Sequence, residues 1–253
     1  MRTFFLVLSF FVAYPVHAGV TCNPIPKDVP TAVQRVAEST VRVRARLIKE
    51  DGIRTTISTP FGGSGFVVRA GGRVVTNFHV IEDAEHLGDA DDTILIYEVV
   101  LNNCSVYSAI PVFTQENGRG MPDVAFLDII NPPQNLKPVE FEKTLPEEGS
   151  LVYAIGTARE KINAVVQGFI LSTAIEKDGL LDMIYASNHV IHGYSGGPLV
   201  NQNGKALGMT IRCDAIRKPD NTISCTGNGY FIPSHIIMEW LEFFEWVEAF
   251  NRQ

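Results

Sequence analysis

Gly193-Tyr194-Ser195-Gly196-Gly197-Pro198-Leu199-Val200 decides how the rest of this chain is read. A serine hydroxyl is a poor nucleophile until a base takes its proton, and the acyl-transfer intermediate that follows needs hydrogen-bond donors for its oxyanion. Gly193 lacks a Cβ, so it can turn its N–H inward, where the amide of Ser195 can join it. Taken alone, the segment also describes a glycine-rich turn with a surface serine, so its meaning depends on what lies upstream.

Upstream, Thr76-Asn77-Phe78-His79-Val80-Ile81 ends an apolar strand in a histidine, and Glu82-Asp83-Ala84 continues it as a helical turn. A strand end holds a side chain firmly at a cleft edge, where a proton acceptor must stand. Pro122-Asp123-Val124-Ala125-Phe126-Leu127-Asp128-Ile129 opens another strand with Asp123. Singly, His79 reads as a packed or surface residue, and an aspartate at a strand mouth is commonplace. Together the three segments supply a nucleophile, a general base and a group to orient that base, in the chain order His79, Asp123, Ser195. Asp128 competes for the orienting role, but five positions on it reaches the far end of the strand.

Between Thr40 and Ile232, short runs rich in Val, Ile, Leu, Phe and Tyr alternate with Gly, Asn, Asp and Pro, which predicts an all-β chain of many short strands. The expected strands are Val41–Ile48, Gly65–Arg69, Arg73–Thr76, Thr93–Val100, Val106–Phe113, Val124–Ile129, Leu151–Ile155, Ala164–Ala174, Met183–Ala186, Pro198–Asn201 and Ala206–Ile211. Asn203-Gly204 predicts a two-residue hairpin turn at positive φ between the last two. Arg42, Arg44 and Arg46 alternate with Val41, Val43, Ala45 and Leu47, the period of a strand whose arginine face is solvated. Asn131-Pro132-Pro133-Gln134-Asn135-Leu136-Lys137-Pro138 is the best internal linker and divides the chain into halves of similar size, with no internal repeat. After Pro233, Ile236, Ile237, Trp240, Leu241, Phe244 and Val247 recur at helical spacing, with Ser234 as cap. Glu239, Glu242, Glu245 and Glu248 take the opposite side, while Phe243 and Trp246 widen the apolar arc. The chain is expected to close on a helix packed against the β structure.

These segments resemble the trypsin-like serine proteases, and most of all their bacterial high-temperature-requirement branch. Phe61-Gly62-Gly63-Ser64-Gly65-Phe66-Val67-Val68 resembles that branch's strand before the histidine, and Val74-Val75-Thr76-Asn77-Phe78-His79-Val80 its histidine motif. Asp123-Val124-Ala125-Phe126-Leu127 resembles the aspartate motif, Gly193 to Val200 the serine motif, and Gly227-Asn228-Gly229-Tyr230-Phe231-Ile232-Pro233 the strand ahead of the C-terminal helix. The resemblance implies two six-stranded antiparallel β-barrels packed at an angle, about residues 36–130 and about 145–233, then a helix over about 234–250. His79 and Asp123 would come from the first barrel and Ser195 from the second. It further implies a serine endopeptidase acting on protein or peptide substrates through an acyl-enzyme, with Gly193 and Ser195 as oxyanion donors and with no cofactor and no metal. A catalytically inactive binding module on the same fold is the alternative, opposed by the intact triad and Gly193. An α/β-hydrolase esterase, suggested by G-x-S-x-G, fails because its histidine follows the serine, leaving only His235, and because its helices and parallel strands should alternate.

Departures from the relatives are informative. Tyr194 stands where zymogen-activated trypsins carry an aspartate that pairs with a new N-terminus, so activation by that ion pair is not expected. The helix is expected to end the chain without the peptide-binding PDZ domain of the high-temperature-requirement proteases, and a monomer is expected. The specificity pocket is expected between His189, Val190 and Ile191 on one side and Thr210, Ile211 and Arg212 on the other. None of these is an acid that would receive Lys or Arg, which predicts a small or apolar preference. His189 is an alternative receptor for an acidic side chain.

With 253 residues, 45% of them hydrophobic, the chain can bury a substantial core. Its formal net charge of −7 supplies no cationic field for a polyanion, which disfavours a nucleic-acid partner. Residues 1–18 read as a secretory signal peptide: Arg2, an apolar run from Phe4 to Ala13, then Pro15 and Val16-His17-Ala18. That run is too short to span a bilayer, and no other segment suits membrane insertion. A mature protease domain over 19–253, secreted or periplasmic, is therefore expected. An oxidising compartment favours disulfides. Cys213 and Cys225 flank the turn-rich Lys218-Pro219-Asp220-Asn221 and are the expected pair, with Cys22 and Cys104 left for each other, although four cysteines permit three pairings.

Overall fold

The computed structural model describes residues 21–50, 55–82, 93–115, 122–158, 161–177 and 180–252; the expected signal peptide lies outside these. A first closed barrel has the order β2-β3-β4-β7-β6-β5, formed by β2 (Thr40–Glu50), β3 (Thr55–Arg69), β4 (Arg73–Thr76), β5 (Thr93–Val100), β6 (Val106–Gln115) and β7 (Val124–Ile129), every pairing antiparallel. Alternation fills its interior: Val41, Val43 and Ala45 of β2 meet Val67, Val74, Ala125, Leu127 and Ile129. The other face of β7, Val124 and Phe126, packs toward the second half of the chain. With both faces covered, β7 reads as a continuous apolar run rather than an alternating one.

The second barrel is built from β8 (Leu151–Ala158), β9 (Lys161–Lys177), β10 (Leu180–Ala186), β11 (Pro198–Asn201), β12 (Ala206–Arg217) and β13 (Ile223–Pro233). The order β9-β10-β13-β12-β11-β8 is closed by pairing of β8 with β9. A short strand β1 (Thr21–Cys22) adds to β9 in parallel, Thr21 opposite Lys161 and Cys22 opposite Ile162. The fold is thus all-β, two six-stranded antiparallel barrels with a C-terminal helix (Ser234–Asn251). That helix buries Ile237, Leu241 and Phe244 in a core shared by both barrels, where Phe126, Phe113 and Phe244 lie with ring centroids 5.6–6.1 Å apart. Its acidic side meets the first barrel: Glu245 pairs with Arg69 at 2.8 Å and Glu248 with Arg73 at 3.0 Å.

Three sequence expectations are corrected. The arginine stripe of β2 is not solvated: Arg42, Arg44 and Arg46 are only 9%, 7% and 6% exposed. Glu98 of β5, directly across from Arg44, reaches Arg44 Nε at 2.6 Å and Arg46 Nη1 at 2.8 Å, so a cross-strand carboxylate compensates for their desolvation. The turn between β11 and β12 is longer than two residues, and of Asn203 and Gly204 only Gly204 has positive φ (+75°). Asn201 Oδ1 accepts the N–H groups of Asn203 and Lys205 and so widens the loop. Ser234 does not cap the C-terminal helix. Pro233 holds the N-cap position, and the Ser234 hydroxyl donates to the carbonyl of Glu142.

The structure joins Cys22 to Cys104 and Cys213 to Cys225, with Cα separations of 5.8 and 5.6 Å. It also contains a helix, Thr31–Ser39, whose Val33, Val36 and Ala37 are buried in the shared core. Their i, i+3, i+4 spacing was the available signal for it.

Candidate active site

The end of β4 delivers His79. Asn77, fully buried, donates from Nδ2 to the carbonyl of Asp123 at 2.9 Å. Phe78 plugs into the first-barrel core and its carbonyl accepts the N–H groups of Ile81 and Glu82, so His79 opens a helical turn. The continuation expected at Asp83 and Ala84 lies outside the described residues. Asp123, immediately before β7, is 1% exposed, and both its oxygens serve His79. Oδ1 accepts the backbone N–H at 2.9 Å and Oδ2 lies 2.5 Å from Nδ1. The imidazole is 43% exposed, and its Nε2 has no partner among the described residues. Asp128 is engaged elsewhere, in a two-point pair with Arg73 at 2.9 Å for each bond.

Ser195 is the second residue of the second of two consecutive tight turns. Tyr194 N–H closes the first on Ile191 O at 3.1 Å, and Gly197 N–H closes the second on Tyr194 O at 2.8 Å. The third positions of these turns, Gly193 (φ +100°) and Gly196 (φ +85°), have the left-handed backbone of type II turns. Neither tolerates a Cβ, which would overlap the carbonyl oxygen of Thr157 at Gly193 and that of Ser64 at Gly196. The amides of Tyr194, Gly196 and Gly197 are used within the fold, whereas those of Gly193 and Ser195 donate to no acceptor among the described residues. Two N–H groups left without an acceptor close to a serine are the kind of donor that a developing negative charge needs.

The barrels meet at this loop. A Cβ placed on Gly63 of β3 would lie 2.7 Å from the carbonyl oxygen of Ser195 and 2.8 Å from Cγ2 of Val80, the neighbour of His79. The histidine and serine segments therefore converge on one glycine. The Ser195 hydroxyl donates to the carbonyl of Ile211 at 3.1 Å, not to His79.

Of the expected pocket residues, His189 and Arg212 are exposed, Ile191 is half-buried, and Val190, Thr210 and Ile211 are buried. Thr210 braces the serine loop, accepting Gly196 N–H and donating to Gly197 O, both at 2.8 Å. The Arg212 guanidinium lies over the ring of Tyr230 at 5.9 Å. Two residues read from the sequence only as part of a strand motif adjoin the expected pocket: a Cβ on Gly229 would sit 2.6 Å from Val190 Cγ2, and one on Gly227 would sit 3.1 Å from His189 Nδ1. Glycines two apart on a strand, facing one way, mark close approach and were the missed signal. Among the described residues, no three His, Cys, Asp or Glu side chains assemble as metal ligands. None of the described helices is long and apolar enough to cross a membrane.

Tyr194 anchors the serine loop by burial in the second-barrel core, and desolvation pushes its phenol up to about 12. Below pH 10 both folded and unfolded chains keep this proton. Between pH 10 and about 12 the unfolded chain ionises first, so stability falls by about 1.4 kcal/mol per pH unit from this group. Urea unfolding of wild type and Tyr194→Phe across that window should show a steeper alkaline loss in wild type by about that slope. Parallel curves would refute the anchoring role.

A family model described as a trypsin-like peptidase domain matches residues 63–209. The chain is 27% identical over 217 residues to the serine endoprotease DegS of Escherichia coli strain K12, covering 82% of this chain and 55% of that protein. It is 29% identical over 247 residues to Protease Do-like 1, chloroplastic, of Arabidopsis thaliana, covering 90% and 52%. Over 221 residues it is 27% identical to Serine protease HTR4 of Rattus norvegicus, covering 84% and 40%. The chain spans about half the length of the curated relatives it matches.

Proposed function

We propose, because this chain belongs to the trypsin-like peptidase family, that it is a serine endopeptidase cleaving protein or peptide substrates through an acyl-enzyme on Ser195. The observation that supports the reading is the double contact of buried Asp123 with His79, together with a serine loop in which the amides of Gly193 and Ser195 donate to no acceptor among the described residues. Donation of Nδ1–H to Asp123 leaves Nε2 as the accepting nitrogen, the tautomer a general base requires.

In the reaction, Ser195 Oγ leaves the Ile211 carbonyl by rotating to another staggered position and gives its proton to Nε2 as it attacks the scissile carbonyl carbon. Charge moving onto the carbonyl oxygen meets the amides of Gly193 and Ser195. The C–N bond then breaks, the leaving amine takes the proton from Nε2, and the acyl group stays on Oγ. Water, deprotonated by His79, releases the acid and restores the serine. The side chain ahead of the scissile bond is received by His189, Val190, Ile191, Thr210, Ile211 and Arg212, with Gly229 opposite Val190. These residues suit a small or apolar group. Residues 1–18 act as an export signal, and the two disulfides suit the secreted or periplasmic setting it implies.

Treatment of the mature protein with a fluorophosphonate should label Ser195 stoichiometrically, read by peptide mapping. The bond from Ser195 to Ile211 favours the second reading, an inert binding module. Folded protein that takes up no label and cleaves nothing in a peptide library would establish that reading instead.

A further inference from the structure

Ser64 lies in β3 of the first barrel, fully buried, yet most of its polar bonds cross to the second barrel. Its N–H donates to the Ser195 carbonyl at 2.7 Å. Its hydroxyl donates to the Gly193 carbonyl at 2.6 Å and accepts the Thr157 N–H at 2.7 Å. Its own carbonyl accepts the Thr76 hydroxyl at 2.7 Å, which ties it to the strand leading to His79. The two residues with unspent amides, Gly193 and Ser195, therefore both have their carbonyls tied to this one residue.

Resting on the protease reading, we propose that Ser64 is the positioning residue of the oxyanion site, fixing the spacing between its two amide donors from the opposite barrel. Donors to a developing oxyanion act only within a narrow range, about 2.7–3.1 Å. A shift of Gly193 by a fraction of an ångström therefore weakens the transition state while leaving substrate docking intact. Gly193 cannot hold its own place by side-chain packing because it has none. Its turn is closed by Tyr194 N–H alone, and the Ser64 hydroxyl supplies the lateral hold. The same hydroxyl satisfies Thr157, whose carbonyl packs directly against Gly193, so both walls of the loop depend on it. The His79–Asp123 contact involves none of these atoms, and the one tie from Ser64 to the His79 strand is through its backbone carbonyl, which every Ser64 variant keeps.

The test uses the mature chain with a peptide substrate, a peptidyl boronate that forms a tetrahedral adduct, and the matching peptide amide. Ser64→Ala should lower kcat by about 10²–10³, the scale of losing one oxyanion donor. KM should stay within about 3-fold. Boronate affinity should fall in step with kcat, while peptide-amide affinity holds. Ser64→Thr, which keeps the hydroxyl, should recover activity to within about 10-fold of wild type. Ser64→Gly, which leaves room for a water in place of the hydroxyl, should fall between the Ala and Thr variants. A folded Ser64→Ala or Ser64→Gly protein with kcat within about 3-fold of wild type overturns the assignment, as does equal loss of boronate and amide affinity. If neither variant folds, Ser64 is a structural residue and the assignment also fails. Active wild type with active Ser64 variants defeats this inference alone, whereas wild type inert to fluorophosphonate defeats the protease reading beneath it.

Discussion

Replacing Ser195 by alanine should lower peptide turnover by roughly 10⁴–10⁶ and leave the fold untouched. The hydroxyl makes one neutral hydrogen bond, to Ile211, whose loss costs on the order of 1 kcal/mol. The loop around it is held by bonds in which the Ser195 side chain takes no part; besides the Ser64 hydroxyl on Gly193 O, four are backbone to backbone: Ser64 N–H to Ser195 O, Gly196 N–H to Thr210 O, Thr210 N–H to Gly197 O and Gly197 N–H to Tyr194 O. Alanine keeps all four bonds, so the unspent amides of Gly193 and Ser195 remain and set the residual rate. The check is initial velocity on the best substrate from cleavage profiling, with thermal unfolding as the control for fold. Turnover within about 100-fold of wild type would remove Ser195 from the nucleophile's role.

Asp123→Asn should cost about 10⁴ in kcat with little change in geometry. The carboxylate offers one oxygen to the His79 backbone N–H and the other to Nδ1. An asparagine has a single acceptor oxygen, and the fixed backbone N–H claims it, which turns the amide NH₂ toward the ring. Nδ1 must then accept, and the ring proton moves to Nε2, where it blocks transfer from Ser195. The defect is thus one of tautomer, and fluorophosphonate labelling should slow along with turnover. A loss below about 10-fold would show that Asp123 does not orient the base.

Much of this could be read from the sequence because strand breakers bracket the strands. Arg73–Thr76, Thr93–Val100, Val124–Ile129 and Pro198–Asn201 begin and end at the expected residues. Others, such as β3, β9 and β12, run well past their apolar stretches, because a barrel strand continues in hydrogen bonding after its side chains cease to alternate. The arginines of β2 misled because periodicity reveals two faces but not what covers each. Ser64 carries no signal of its own in the sequence, since Gly-Gly-Ser-Gly spells flexibility until another barrel is docked against it. The close approaches of Gly229 and Gly227 to Val190 and His189 likewise exist only in three dimensions.

The first described residues belong to both halves of the molecule. Cys22 is bonded to Cys104, between β5 and β6, while Thr21 and Cys22 lengthen the sheet of the other barrel beside Lys161 and Ile162. Asn163 adds a bond from Nδ2 to the carbonyl of Asn23 at 3.0 Å. This arrangement works as one clasp across the spine of an open book, added to the shared core and the C-terminal helix that already bind the covers. Reduction by a thiol is thus expected to loosen this tie between the two halves while every bond of the serine loop stays in place.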